Sequence, residues 1–128
     1  MLFVASGARA FVRSPPKVSY SSATTTLAAS TQYLLTYDYI PDVLEKRGPF
    51  RAEHLQLAQD LVTSGHCLHG GPKGPLEEGA PPTGALFVFT DLASAKDFVE
   101  KDPYVSGGIV TAHKIEAWTV AVSKDAES

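Results

Sequence analysis

The chain has 128 residues, of which 44% are hydrophobic and 20% charged, with one cysteine and a net charge of −3. That fits one globular domain, and the single Cys excludes an internal disulfide framework and any multi-cysteine zinc or iron–sulfur site. No apolar run approaches the roughly 18–20 residues needed to cross a bilayer, so no membrane partner is expected.

The charge is unevenly spread. Residues 1–30 carry Arg9, Arg13 and Lys17 with no acid, whereas residues 31–128 hold 8 basic and 14 acidic side chains. The first segment also has nine Ser or Thr and six Ala, and its tract Ser19–Thr26 shows no period that would bury a face. This is the composition of a mitochondrial or chloroplast transit peptide. Arg9 interrupts the apolar stretch before a secretory h-region forms; the remaining alternative is a disordered tail. The expected organisation is a transit segment over 1–30, a domain over 31–123 and a tail over 124–128. Without removal of the N-terminal segment the protein would be cytoplasmic. Lys46, Arg47 and Arg51 form the local basic cluster, too small a stripe for nucleic acid, and they read as the solvated end of a helix or loop.

Gln32–Tyr39 reads as a first strand, with Tyr33, Leu35 and Tyr37 on one face and Leu34 and Thr36 on the other. After Pro41 and Gly48-Pro49 the period changes: Leu55, Ala58, Leu61 and Val62 predict a helix over Phe50–Ser64, stopped by Gly65. Cys67-Leu68-His69 reads as a short strand. Residues 70–84 contain five Gly and four Pro, which predicts an irregular loop. Ala85–Thr90 is the clearest strand. Asp91 can cap a second helix whose apolar stripe is Leu92, Ala95, Phe98 and Val99, and Asp102-Pro103 ends it. After Gly107-Gly108, Val110–Val122 reads as a long last strand carrying Trp118.

The order is β-α-β-β-α-β, an α+β, ferredoxin-like arrangement with an antiparallel four-stranded sheet. Two helices cover only one face of such a sheet. Yet Phe87 and Phe89 alternate with Leu86 and Val88, and Tyr33 and Tyr37 with Leu34, so both faces are apolar. A second copy of the chain is the simplest cover, which predicts a homodimer with a ligand site at the sheet.

His54 shares a helical line with Ala58 and Leu61 and edges toward the apolar face, where an imidazole serves as general acid or base. The alternative is a His satisfied by a neighbouring carbonyl. Asp102 is either a plain helix terminator before Pro103 or a carboxylate placed to orient a His or hold a water. Tyr104 adds a phenol donor on an apolar body. In a strand, Cys67 and His69 face one way and His66 the other, which does not make a metal site; no metal is expected. Cys67 reads as a small buried hydrophobe. The Gly70–Gly84 segment is not a phosphate loop, since it lacks a Gly-Lys-Ser/Thr ending and joins two strands. A loop of that length is either a disordered insertion or part of a binding surface.

Several pieces match one family in order: Tyr33-Leu34-Leu35 in the first strand, Leu44-Glu45-Lys46-Arg47, Arg51-Ala52-Glu53-His54-Leu55, Gly71-Pro72, and Asp102-Pro103-Tyr104-Val105 before the last strand. Over about residues 32–122 the chain resembles the YCII-related (YciI-like) domain. The resemblance implies a dimeric α/β barrel of ferredoxin-like protomers and an active site built from His54 and Asp102. It also implies small cyclic or aromatic metabolites, often handled without a cofactor. Tyr104, Gly71 and Pro72 are the expected substrate contacts. The Pro-rich stretch Pro72–Pro82 departs from the family pattern and reshapes the mouth of the pocket.

The expected function is therefore a cofactor-free enzyme of small-molecule proton transfer, such as isomerisation, elimination or lactone chemistry. Its alternative is a non-catalytic dimeric module that binds a metabolite or a protein partner in the same pocket.

Overall fold

A computed structural model describes residues 30–124, so the expected transit segment and the end of the expected tail lie outside the described residues. The elements are β1 (Ser30–Tyr39), α1 (Val43–Lys46), α2 (Gly48–Thr63), β2 (Cys67–Lys73), β3 (Gly84–Phe89), α3 (Leu92–Lys101), α4 (Pro103–Ser106) and β4 (Val110–Val120). Residues 31–118 form one compact unit; Ser30 and residues 119–124 fall outside it. The strands form one sheet in the order β2-β3-β1-β4, with β1 and β2 each antiparallel to β3. This is the expected α+β, ferredoxin-like architecture, with α1 and α4 as added single turns.

Alternation in the strands decides what is buried. Tyr33, Leu35 and Tyr37 lie opposite Phe89, Phe87 and Ala85, while Leu34 and Thr36 lie opposite Val88 and Leu86. The first set belongs to a core that also takes in Ala95, Phe98 and Val99 of α3 and Leu57, Ala58 and Leu61 of α2. On the other face Leu86 and Trp118 remain 38% and 42% exposed. With Leu34, Val88 and His69 they border a shallow hollow of about 520 Å³.

The two main helices start differently, α3 with a side-chain cap and α2 with a proline in its first turn. The Asp91 carboxylate accepts from the Ser94 backbone N–H at 2.8 Å, satisfying one of the free amides of α3. Leu92, expected in the α3 stripe, is exposed in the first turn. The second helix, α2, begins two residues earlier than expected, because Pro49 is compatible with a first turn whose N–H groups have no helical partner. Its inward line is His54, Leu57, Ala58 and Leu61. Leu55 and Val62, expected to be core, stand one step round the helix and are exposed.

The largest departure from expectation is β2. It continues through Gly70, Gly71 and Pro72 to Lys73, where an irregular loop was expected. It is an edge strand, where Pro need not donate to a ladder. An irregularity between Cys67 and His69 shifts the register, so Cys67 pairs with Phe89 but His69 pairs with Val88. An extra residue inverts the alternation beyond it. Cys67 therefore belongs with the core face and His69 with the opposite face, not on one side as simple alternation predicted. The last strand stops at Val120, two residues short of the expected end.

Candidate functional site

Asp102 joins α3 to α4. Pro103 excludes the helical conformation from the residue before it, and Asp102 is extended, with φ −72° and ψ 119°. That turn breaks the helix and leaves the carboxylate free to accept from its surroundings. Its Oδ1 accepts from the Tyr104 backbone N–H at 3.0 Å and lies 2.8 Å from His54 Nδ1. Its Oδ2 accepts from the Tyr37 hydroxyl at 2.7 Å. Asp102 and Tyr37 are fully buried, and His54 is 5% exposed. Thus the loop after α3, the inward line of α2 and the core face of β1 converge on one carboxylate.

A carboxylate accepts and cannot donate, so this geometry places a proton on His54 Nδ1, and the neutral imidazole then carries its lone pair on Nε2. Among the described residues no group hydrogen-bonds Nε2. The imidazole is held flat against the Tyr104 ring, with centroids 3.7 Å apart and planes 2° from parallel. The ring centroids of Phe87 and Phe98 each stand 6.0 Å from the imidazole. The ring is stacked on one face by Tyr104 and held at one nitrogen by Asp102, leaving the other nitrogen for chemistry.

The phenols around the pair are kept protonated. Burial pushes the Tyr37 hydroxyl well above the ordinary tyrosine range, and the Asp102 charge and hydrogen bond push it the same way. Burial and the neighbouring Tyr104 and Asp102 lift Tyr39 to about 12. Burial raises Tyr104 too, against the opposing pull of Arg47 and Arg51. The Cys67 thiol is also pushed up by burial, which makes it a poor nucleophile. At the start of α3, hydrogen bonds from Ser94 hold Asp91 below the usual carboxylate range.

His54 lines a cleft of about 520 Å³ between α2 and β2. Leu55 and Val62, the two leucine-like positions that α2 leaves outside the core, form its helix wall, and Gly71 and Pro72 form its strand wall. A cleft of this size suits a small organic molecule. Gly71 and Pro72, two of the three expected substrate contacts, line this cleft. Tyr104 does not line the cleft; it backs the imidazole and fixes its plane. Sequence reading missed Tyr37 as part of the site. The available signal was a phenol on the core face of a central strand, since a buried Tyr hydroxyl needs an acceptor.

His66 Nδ1 stands 3.1 Å from Asp91 Oδ1 on the surface. Among the described residues no group of three His, Cys, Asp or Glu is placed to hold a metal ion.

Comparison with known proteins adds three findings. The sequence model of one family, described as the YCII-related domain, matches residues 31–119. The chain is 32% identical over 83 residues to an uncharacterized protein of Haemophilus influenzae, an alignment that covers 60% of this chain and 85% of that protein. Its fold is similar to that of the 5-chloro-2-hydroxyhydroquinone dehydrochlorinase of Burkholderia phenoliruptrix AC1100, solved in complex with 2,5-dihydroxybenzoquinone. There the TM-score is 0.58 at 25% identity, over 69% of this chain and 93% of that one.

Proposed function

Because the chain belongs to the YCII-related domain family, we propose that it is a small-molecule acid–base enzyme in which His54 moves the proton and Asp102 orients it. One observation carries the reading: a buried Asp102 holds His54 by Nδ1 at 2.8 Å while the same ring lines a cleft. Asp102 fixes the tautomer and stabilises the imidazolium formed when Nε2 takes a proton. Tyr37 and the Tyr104 N–H hold the carboxylate in place. The similarity to a dehydrochlorinase of a hydroxylated ring favours a hydroxylated aromatic or quinoid substrate. Nε2 removes the proton of a ring hydroxyl; the electron pair left on oxygen moves through the ring to a carbon that takes this proton, which shifts a double bond. Where that carbon carries a leaving group, the electron pair of a second ring hydroxyl, ionised by Nε2, expels it as an anion and leaves a quinone. The proton on Nε2 is then returned to the product or released to water.

The test is a turnover screen of the full chain on hydroxylated aromatic compounds beside His54→Gln and Asp102→Asn. Turnover should fall by about 10²–10⁴-fold in His54→Gln while its circular dichroism stays that of the parent. Equal turnover in parent and His54→Gln would overturn the assignment. Binding without turnover in either would identify a non-catalytic metabolite-binding module.

We also propose that the chain works as a homodimer joined through the sheet face that carries Leu86 and Trp118. That face keeps large apolar side chains in water, and burying them against a second copy is favourable at about 25 cal/mol per Å².

A further inference from the structure

Residues 31–128 hold fourteen Asp and Glu against eight Lys and Arg, yet three of those eight cations meet at one recess. Arg47 between α1 and α2, Arg51 in the first turn of α2 and Lys73 at the end of β2 line a hollow of about 360 Å³. Leu44, Pro72 and Pro82 supply apolar walls, and no carboxylate lines it. Three of the other five are paired: Lys46 with Asp42 at 3.9 Å, Lys101 with Asp97 at 3.0 Å and Lys114 with Glu116 at 3.7 Å. Among the described residues, none of Arg47, Arg51 and Lys73 has such a partner. Like charges gathered without a counter-ion repel one another. In an acidic domain the arrangement gains free energy when an anion enters.

The recess adjoins the catalytic cleft. Pro72 lines both. Arg51 precedes His54 by three residues on α2, a spacing that puts them on neighbouring positions of one helix surface. The Arg47 guanidinium lies beside the Tyr104 hydroxyl, and the Tyr104 ring is stacked on the imidazole. The pull of both arginines on the Tyr104 hydroxyl, though weaker than the effect of burial, shows that their field reaches the edge of the site.

We propose that Arg47, Arg51 and Lys73 form an anion subsite that takes the carboxylate or phenolate oxygens of a small planar acid whose ring lies across Pro72 toward His54. The inference rests on the proton-transfer reading of that cleft and adds the charge of its substrate. Guanidinium groups match a planar oxyanion with paired N–H donors, and the Lys73 ammonium adds a point charge. The apolar wall of Leu44 and the prolines suits a ring or alkyl body more than a hydrated inorganic ion. The subsite therefore selects acids over neutral compounds of the same shape.

The experiment is calorimetric titration of the full chain with benzoate, phenol and inorganic phosphate. Benzoate is expected to bind at least about tenfold more tightly than phenol, the ratio of one charge-assisted contact. Arg51→Gln and Lys73→Gln should each weaken benzoate by about tenfold and leave phenol unchanged. Raising the salt to about 0.5 M should weaken benzoate in the same direction. Equal affinity for benzoate and phenol, or benzoate binding unmoved in both variants, overturns the subsite. So does phosphate that binds more tightly than benzoate and displaces it, which would assign the recess to phosphate groups. His54→Gln separates this from the catalytic reading: it should lose turnover and keep benzoate binding. If it kept both while Arg51→Gln and Lys73→Gln lost benzoate, the subsite would stand and the catalytic reading would fall.

Discussion

Asp102 accepts from three donors that belong to three different parts of the chain, and removing each donor should have its own consequence. The Tyr37 hydroxyl, 2.7 Å from Oδ2, lies in a fully buried environment. Tyr37→Phe leaves that oxygen without its partner, which should destabilise the fold by about 1–3 kcal/mol. A thermal melt that matches the parent within error would show the bond to be dispensable. The phenols also set an alkaline limit. A tyrosine in the unfolded chain ionises near 10, whereas Tyr39 holds its proton to about 12. Its contribution is complete below pH 10 and is lost as pH rises through that window, because the unfolded state releases its proton first. Melts across that range should fall steeply in the parent and less so in Tyr39→Phe; identical slopes would count against the burial of Tyr39 as the cause. His54 and Asp102 were readable from their motifs. Their pairing was implied by the family resemblance alone, since 48 residues separate them and no local pattern encodes such a contact.

At the scale of elements, the site depends on how β2 meets β3 and α2. Gly70 pairs with Phe87, and a Cβ at that position would collide with the Phe87 ring. That ring packs 5.6 Å from Tyr37 and 5.0 Å from Phe98, so it has little freedom to yield. Gly70→Ala should cost about 1–3 kcal/mol and lower turnover by disturbing the ring beside His54. Gly71 pairs with Leu86 on the opposite face, where a Cβ would meet nothing within 4 Å, so Gly71→Ala should keep both the stability and the cleft. Chemical denaturation of the two variants distinguishes these outcomes, and equal losses would contradict the packing described. Helix and strand positions followed from periodicity and caps, as Asp91 illustrates, whereas Pro49 read as punctuation and stands in the first turn of α2. The continuation of β2 through Gly70-Gly71-Pro72 did not. Composition marks such residues as loop formers, but an edge position beside the β3 ladder accommodates them.

For the whole molecule, the open question of surface is the sheet face opposite the helices. Leu86, Leu34 and Trp118 border its hollow, and in water they would be a liability for a lone chain. The homodimer predicts a solution mass twice the 13.6 kDa of one chain at micromolar concentration. Leu86→Lys should halve that mass while leaving the helix-side core, and hence the circular dichroism, in place. Sedimentation of the parent as a monomer would remove the dimer from the account. The acidic surface and the basic recess also act at this scale. Excess negative charge repels anions from the molecule generally, so the subsite must hold its ligand through short-range contacts.

By itself the sequence determined the class of fold, because alternation, helical spacing and cap residues are local and each follows from neighbouring side chains. It also determined which titratable residues stood on inward or capping positions, since those positions follow from the same periodicities. Tertiary structure alone decided which groups meet. The Tyr37–Asp102–His54 chain joins three elements across the core, and the register shift after Cys67 moves His69 to the opposite face. The three cations gather only when α2 and β2 pack side by side. Such contacts depend on the placing of whole elements in space, which burial of the shared core fixes and local sequence does not.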